Sequence, residues 1–223
     1  MELYLVRHGE TLSNIGADDS CDTVLSAKGE EQVECLGKAL KDIHFDKIYS
    51  SHLIRAVQTA AAVAKYQQGE PEIIVVPELA ERGITSEFIP DRVRLEKAYS
   101  KLNYADSLVS KDYHGDIERS ENVLRKLVFD PAYLNATETK ISGENEIRYN
   151  PERILIVAHG GLNACILSNL VNFRFDINMN IVQHNTCINR FRLFLFNGVQ
   201  RVKFEGYNET NHLSENLKQN FGY

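Results

Sequence analysis

No two of the four cysteines, Cys21, Cys35, Cys165 and Cys187, stand at the two-residue spacing of a metal or redox motif. Spread this widely, they read as buried or half-buried thiols in a reducing compartment. Long apolar runs are missing too; none approaches the roughly 20 residues that span a bilayer, so no membrane partner is expected. The chain starts directly on a strand, which leaves no room for a cationic, apolar leader, and a cytoplasmic location follows as the expectation. Positive charge is scarce: 25 Lys and Arg against 31 Asp and Glu give a net charge of -6. The chain as a whole will not attract nucleic acid, and any anion it binds must be bound locally. Internal repeats, low-complexity tracts and the compact acid cluster of a two-magnesium site are also lacking.

What is present is an ordinary globular composition, 43% apolar and 25% charged, in 223 residues. That length buries a core as a single domain, 1–223, with room for an inserted lobe.

The chain is organised around its opening. Leu3 to Val6 is an apolar run of strand type, and Arg7-His8-Gly9 follows without a break. Side chains just beyond a buried strand stand at the carboxyl edge of a sheet, where α/β folds bind ligands. Arg7 offers a fork of donors that stays charged, His8 a nucleophilic ring nitrogen, and Gly9 close approach of the backbone. The tripeptide reads as a phosphate site, or as a turn carrying a solvated charge.

Residues 15–24 are a polar surface loop, and from Ser26 a helical pattern (Val33, Leu36, Leu40) runs to about Asp42. Phe45 to Tyr49 is a second strand. Ser51 reads as the N-cap of an alanine-rich helix reaching Lys65, which puts Arg55 one turn inside. There it opposes the helix dipole unless an anion or acid compensates it, or it is simply solvated. Glu72 to Val76 is a third strand, ended by Pro77, with Glu81 just beyond; this acid either serves a site or pairs with Arg82 or Lys97. Residues 84–150 read as an inserted helical cap, with helices over 91–102 and 117–129, no strand of core quality, and a polar return loop from Ile141 to Tyr149. Tyr99, Tyr104, Tyr113 and His114 either line an aromatic mouth or pack the cap. Arg153 to Ala158 is the clearest central strand, and His159-Gly160-Gly161 opens the helix after it. Asn197-Gly198 joins two further strands as a hairpin, and the Tyr207–Leu213 segment either closes over the site or covers a sheet edge.

LVRHGETLSN (Leu5 to Asn14), LSAKG (Leu25 to Gly29), SSHLIRAVQTA (Ser50 to Ala60), ELAER (Glu78 to Arg82) and ILIVAHGG (Ile154 to Gly161), in this order, resemble the histidine phosphatase superfamily, which includes the cofactor-dependent phosphoglycerate mutases. The resemblance implies an α/β fold, a three-layer sandwich with a mixed, mostly parallel sheet, helices on both faces and the helical cap inserted. It implies that His8 is phosphorylated, that Arg7, Arg55, His159 and Gly160 complete the phosphate pocket, that Asn14 touches the phosphate, and that Glu81 is the proton donor. No cofactor or metal is expected. The expected activity is hydrolysis of a phosphomonoester through phosphohistidine. A phosphoglycerate mutase and a catalytically weak phospho-ligand-binding regulatory protein are the alternatives. Arg92, Arg94 and Lys97 are spaced along a helix rather than forming a mutase-like adjacent pair, and HNTCIN (His184 to Asn189) is more like the phosphatase branch. The expected partner is a small phosphorylated metabolite, with a phosphoprotein, a nucleotide or a second copy of the chain as further candidates.

Overall fold

The computed structural model describes residues 1–84, 91–105, 115–171 and 181–218. Its frame is a nine-stranded mixed sheet. Five parallel strands form one half, in the order β4 (Leu102–Tyr104), β3 (Ile73–Val75), β2 (Lys47–Ser50), β7 (Arg153–Ala158) and β1 (Glu2–Arg7). Beyond β1 the sheet turns antiparallel, through β8 (Ile188–Phe196) to β6 (Asn145–Tyr149) and β5 (Glu138–Ser142), while β9 (Val199–Glu209) pairs with β8.

Alternation along β1 divides the core between two faces. Leu3 and Leu5 pack with Val123, Leu127, Leu162 and Ile166 on one side. Tyr4 and Val6 pack with Leu36, Leu40, Ala60 and Val63 on the other. The first face is covered by α4 (Asp116–Leu124), a π-helical turn (Arg125–Phe129) with α5 (Asp130–Leu134), and α6 (Gly160–Leu170); the second by α1 (Ala27–Leu40) and α2 (Ile54–Ala64). Because β7 is covered on both faces, five of its six residues are buried and its sequence shows no alternation.

Three expectations need correction. The return loop over 141–149 is largely strand. β5 and β6 form a hairpin whose exposed, polar residues mask it, and it joins the main sheet through β6 against β8. The helix expected over 91–102 ends early, as α3 (Arg92–Ala98), and the chain then supplies β4, a parallel strand beside β3. With only three residues, β4 has too little length to show a period. Finally, Ser51 does not cap α2, which starts at Ile54. The Ile54 N–H donates instead to Asp22 Oδ1 at 2.8 Å, so the cap comes from a loop 32 residues upstream.

Asn197 and Gly198 both adopt positive φ, 48° and 76°, as a tight two-residue hairpin requires. No helix among the described residues is long and apolar enough to cross a membrane.

Candidate active site

Strand register assembles the site. Arg7 of β1 is paired with Ala158 of the parallel neighbour β7. The next residue on each strand is therefore a histidine at the same sheet edge, and the His8 and His159 rings lie 5.1 Å apart between centroids. On the other side of β7, Ser50 of β2 is level with Val157, which places Ser51 next to the same edge. The Ser51 hydroxyl contacts His159 Nε2 at 2.8 Å. Glu81 arrives from beyond β3, so β1, β2, β3 and β7 all deliver side chains to one sheet edge.

The loop after β1 is held from below. Gly29, in the first turn of α1, lies so close to Glu10 that a Cβ there would stand 2.0 Å from the Glu10 carbonyl oxygen. Ser26 caps α1 through the Gly29 N–H at 3.0 Å, and its hydroxyl donates to Glu10 Oε1 at 2.8 Å. These contacts account for the LSAKG segment: it clamps the turn that carries His8. From above, Gly9 N–H donates to Thr59 Oγ1 at 3.1 Å, and that hydroxyl donates to the Arg55 carbonyl at 2.7 Å. The turn over 184–187 closes the back. Asn185 Nδ2 donates to the His8 carbonyl at 3.0 Å, and Thr186 donates its N–H to the Arg7 carbonyl at 3.0 Å. Thr186 does so at φ 57°, an unfavourable region for a β-branched residue.

Arg7, His8, Asn14, Arg55 and Glu81 all line one cleft of about 330 Å³, with Cys21 and Thr23 on its wall. Two larger surface grooves lie elsewhere, so the chemistry of the lining rather than volume picks out the site. His8 is 4% exposed and Arg55 8%. His159 is fully buried beside His8. Arg7 Nη1 donates to the Gln183 carbonyl, and Arg55 Nη1 to the Cys21 carbonyl at 3.0 Å. Asn14 Oδ1 accepts from Thr11 N–H at 3.1 Å. Gly160 opens α6 against Arg7: a Cβ at that position would come within 3.3 Å of Arg7 Nε. Glu81 lies at the N-terminus of the same helix, its Oε1 accepting from Leu162 N–H at 3.2 Å and its Oε2 from Gly161 N–H at 3.5 Å.

Electrostatics keep both imidazoles neutral. Burial, followed by the Arg55 and Arg7 charges, pushes the His8 pKa well below its usual 6.5, against the opposing pull of the Gly9 carbonyl. For His159 burial again leads, followed by Arg55 and His8, and its pKa also falls well below 6.5. His8 Nδ1 is paired with the Gly9 carbonyl oxygen at 2.7 Å, so in the neutral ring Nδ1 carries the proton and Nε2 the lone pair.

Several contributors have no legible signal in the sequence. Asp22 lies in what reads as a polar loop, Ser51 reads as a helix cap, and Asn185 lies in HNTCIN, a segment read only for its likeness to the phosphatase branch and with no role given to Asn185 itself. Only long-range packing brings them to His8, His159 and Arg55. Cys21 is exposed, unlike the buried or half-buried thiols expected. The aromatic mouth is not seen among the described residues: Tyr99 packs on the α2 face with its hydroxyl on the Pro71 carbonyl, and Tyr104 packs with Ile54 and Leu95. Tyr113 and His114 lie outside the described residues.

Part of the sequence and the fold as a whole are similar to known proteins. Residues 3–93 match the histidine phosphatase superfamily (branch 1). The fructose-2,6-bisphosphatase TIGAR B of Danio rerio is 40% identical over 86 residues, which is 36% of this chain but only 34% of that protein, so the match spans about a third of the relative's length. A broad-specificity phosphatase of Saccharomyces cerevisiae is 28% identical over 174 residues, 75% of this chain and 69% of the relative. In fold, the crystal structure of a phosphoserine phosphatase from Entamoeba histolytica in complex with 3-phosphoglyceric acid aligns over 96% of this chain and 99% of that one, at 23% identity and a TM-score of 0.61. Residues 3–93 thus match the histidine phosphatase superfamily (branch 1), the relatives similar to the chain are phosphatases, and the chain shares its fold with a solved phosphatase.

Proposed function

We propose that the protein is a phosphatase that hydrolyses a small phosphomonoester through a phosphohistidine at His8. The observation that carries this reading is the pairing of His8 Nδ1 with the Gly9 carbonyl, in a ring kept neutral by burial between two guanidinium groups. That arrangement leaves Nε2 as an uncharged nucleophile, and a phosphate dianion repels any other kind.

In the first half-reaction Nε2 attacks phosphorus in line as the ester P–O bond breaks, while Arg7 and Arg55 neutralise the equatorial oxygens. Glu81 gives its proton to the departing alkoxide. In the second half-reaction Glu81, now a carboxylate, takes a proton from water as the water oxygen attacks phosphorus and the P–N bond breaks, releasing inorganic phosphate. His159 lies beside His8 to stabilise the added charge on the transferring group.

The same geometry favours hydrolysis over mutase chemistry. A mutase keeps the phosphoryl group for a second substrate oxygen and needs spare cations for a carboxylate. The arginines of α3 are otherwise engaged: Arg94 Nη1 donates to the Asp22 carbonyl at 3.0 Å, and Arg92 lies 4.4 Å over the Tyr104 ring. Lys97 lines a different groove.

The test is a screen of phosphomonoesters, with and without a chelator, read as released inorganic phosphate. The expected result is turnover of small esters that is unaffected by the chelator. Transfer between the 2- and 3-positions of phosphoglycerate without phosphate release would favour the mutase, and binding without turnover the regulatory protein.

A further inference from the structure

The stretch from Ala80 to Ile84 carries Glu81 into the site, yet it belongs to no helix or strand. A side chain from another part of the fold holds it. Arg119, on α4, is 1% exposed. Its Nη2 donates to the Ala80 carbonyl at 3.1 Å and to the Glu81 carbonyl at 3.3 Å, and its Nη1 to the Ile84 carbonyl at 3.1 Å. Nη2 also meets Asp116 Oδ1 at 2.7 Å, one turn earlier on α4. Asp116 in turn lies 3.8 Å from Arg82 Nε.

Burying a guanidinium is costly, and an apolar side chain of similar volume would fill the space without that cost. What the guanidinium adds is a planar fork that fixes several acceptors in one geometry. Here three of those acceptors are main-chain carbonyls on either side of Glu81 and at Glu81 itself. The carboxylate of the same residue is held by the first N–H groups of α6 and by the Arg82 N–H. Glu81 is thus clamped between two helices, its main chain by α4 and its side chain by α6.

We propose that Arg119 is a positioning residue that holds Glu81 at proton-transfer distance from the leaving group; the inference rests on the reading of Glu81 as the proton donor. Arg119 touches no substrate atom and acts only through the loop it grips. A misplaced proton donor harms esters with poor leaving groups and largely spares those whose leaving group departs as a stable anion. A merely structural staple would slow both classes alike.

The experiment measures single-turnover formation of phosphohistidine from glycerol phosphate, an alkoxide leaving group, and from 4-nitrophenyl phosphate. It compares the wild type with E81Q, R119M, R119K, D116N and the double variant E81Q/R119M. With glycerol phosphate, E81Q and R119M should each be slower by about 100-fold and R119K by about 10-fold, while 4-nitrophenyl phosphate loses less than about 5-fold. The double variant should be no slower than E81Q alone. Should R119M fail to fold, D116N removes the anchor of Arg119 from a partly exposed position and should show the same ester preference at about 5-fold. Equal slowing on both esters, or additive losses in the double variant, would overturn the role of Arg119 while leaving Glu81 as proton donor. An E81Q enzyme with no ester preference would overturn the reading of Glu81 and this inference with it.

Discussion

His8 and His159 are neighbours because Arg7 and Ala158, one residue before each, are paired across two parallel strands. The 5.1 Å between the two rings is close to the spacing of adjacent strands in a sheet. The pair is therefore built into the backbone rather than adjusted by side-chain choice, and a slip of β1 by one residue would turn His8 to the other face. Both rings are desolvated at this position and each lies close to Arg7 and Arg55, so neither takes up a proton near neutral pH.

In the proposed mechanism Arg55 supplies charge where charge develops. It is buried, near both the Glu81 and Asp22 carboxylates, and donates to the main chain of the cleft wall. Replacing it with alanine should cost about 2 to 4 kcal/mol of transition-state stabilisation, read as a fall in kcat/KM. Activity near the wild-type level in Arg55→Ala would remove this residue from the pocket.

Gly161→Ala should separate activity from stability. The new Cβ would stand 2.6 Å from Glu81 Oε1 and 2.8 Å from Arg82 Cδ, both on side chains able to swing aside. Alanine also favours the helix by roughly 0.5 to 1 kcal/mol over glycine. The expected protein melts at or slightly above the wild-type temperature and turns over alkyl phosphates at least about 10-fold more slowly, within the usual contribution of a placed proton donor. Normal turnover would mean that the carboxylate does not need its seat on α6.

The buried histidines make stability depend on pH. Burial lowers His52 and His212 to about 4, and His8 and His159 also fall well below 6.5. When pH drops below 6.5 the unfolded chain binds protons that the folded chain refuses, so the stability these groups support is complete above 6.5 and is lost on the way to 4. In that window each such histidine removes about 1.4 kcal/mol per pH unit. Urea midpoints should fall steadily between pH 7 and pH 5; a flat profile would mean that the rings are already charged in the native state.

Asp22→Ala tests whether a distant loop caps α2. The carboxylate accepts from Ile54 N–H at 2.8 Å, and the Asp22 carbonyl is gripped by Arg94. Losing the cap should cost about 1 kcal/mol of stability. KM should also rise, because Cys21 and Thr23 beside it form the wall of the cleft. An unchanged KM would assign Asp22 to the helix alone.

The sequence was legible where chemistry is local. A strand followed by Arg7-His8-Gly9, a buried strand followed by His159, and Ser26 before a helical period each carry their signal within a few residues. It was illegible where partners are far apart in the chain. The cap of α2 comes from Asp22, the grip on the Glu81 loop from Arg119, and the support for the His8 carbonyl from Asn185, 177 residues away. The β5–β6 hairpin was hidden for another reason: its residues are exposed, so burial imposed no apolar alternation to read. Asn145 and Glu146 instead bond to Asn197, at the tip of the neighbouring hairpin.

The most direct measurement is to mix the protein with a labelled phosphomonoester, quench in alkali, and identify the residue that carries the label. The account predicts an alkali-stable phosphoramidate on His8 that decays to inorganic phosphate, and no label in His8→Ala. Hydrolysis of the ester with the label on another residue, or undiminished hydrolysis by His8→Ala, would contradict it.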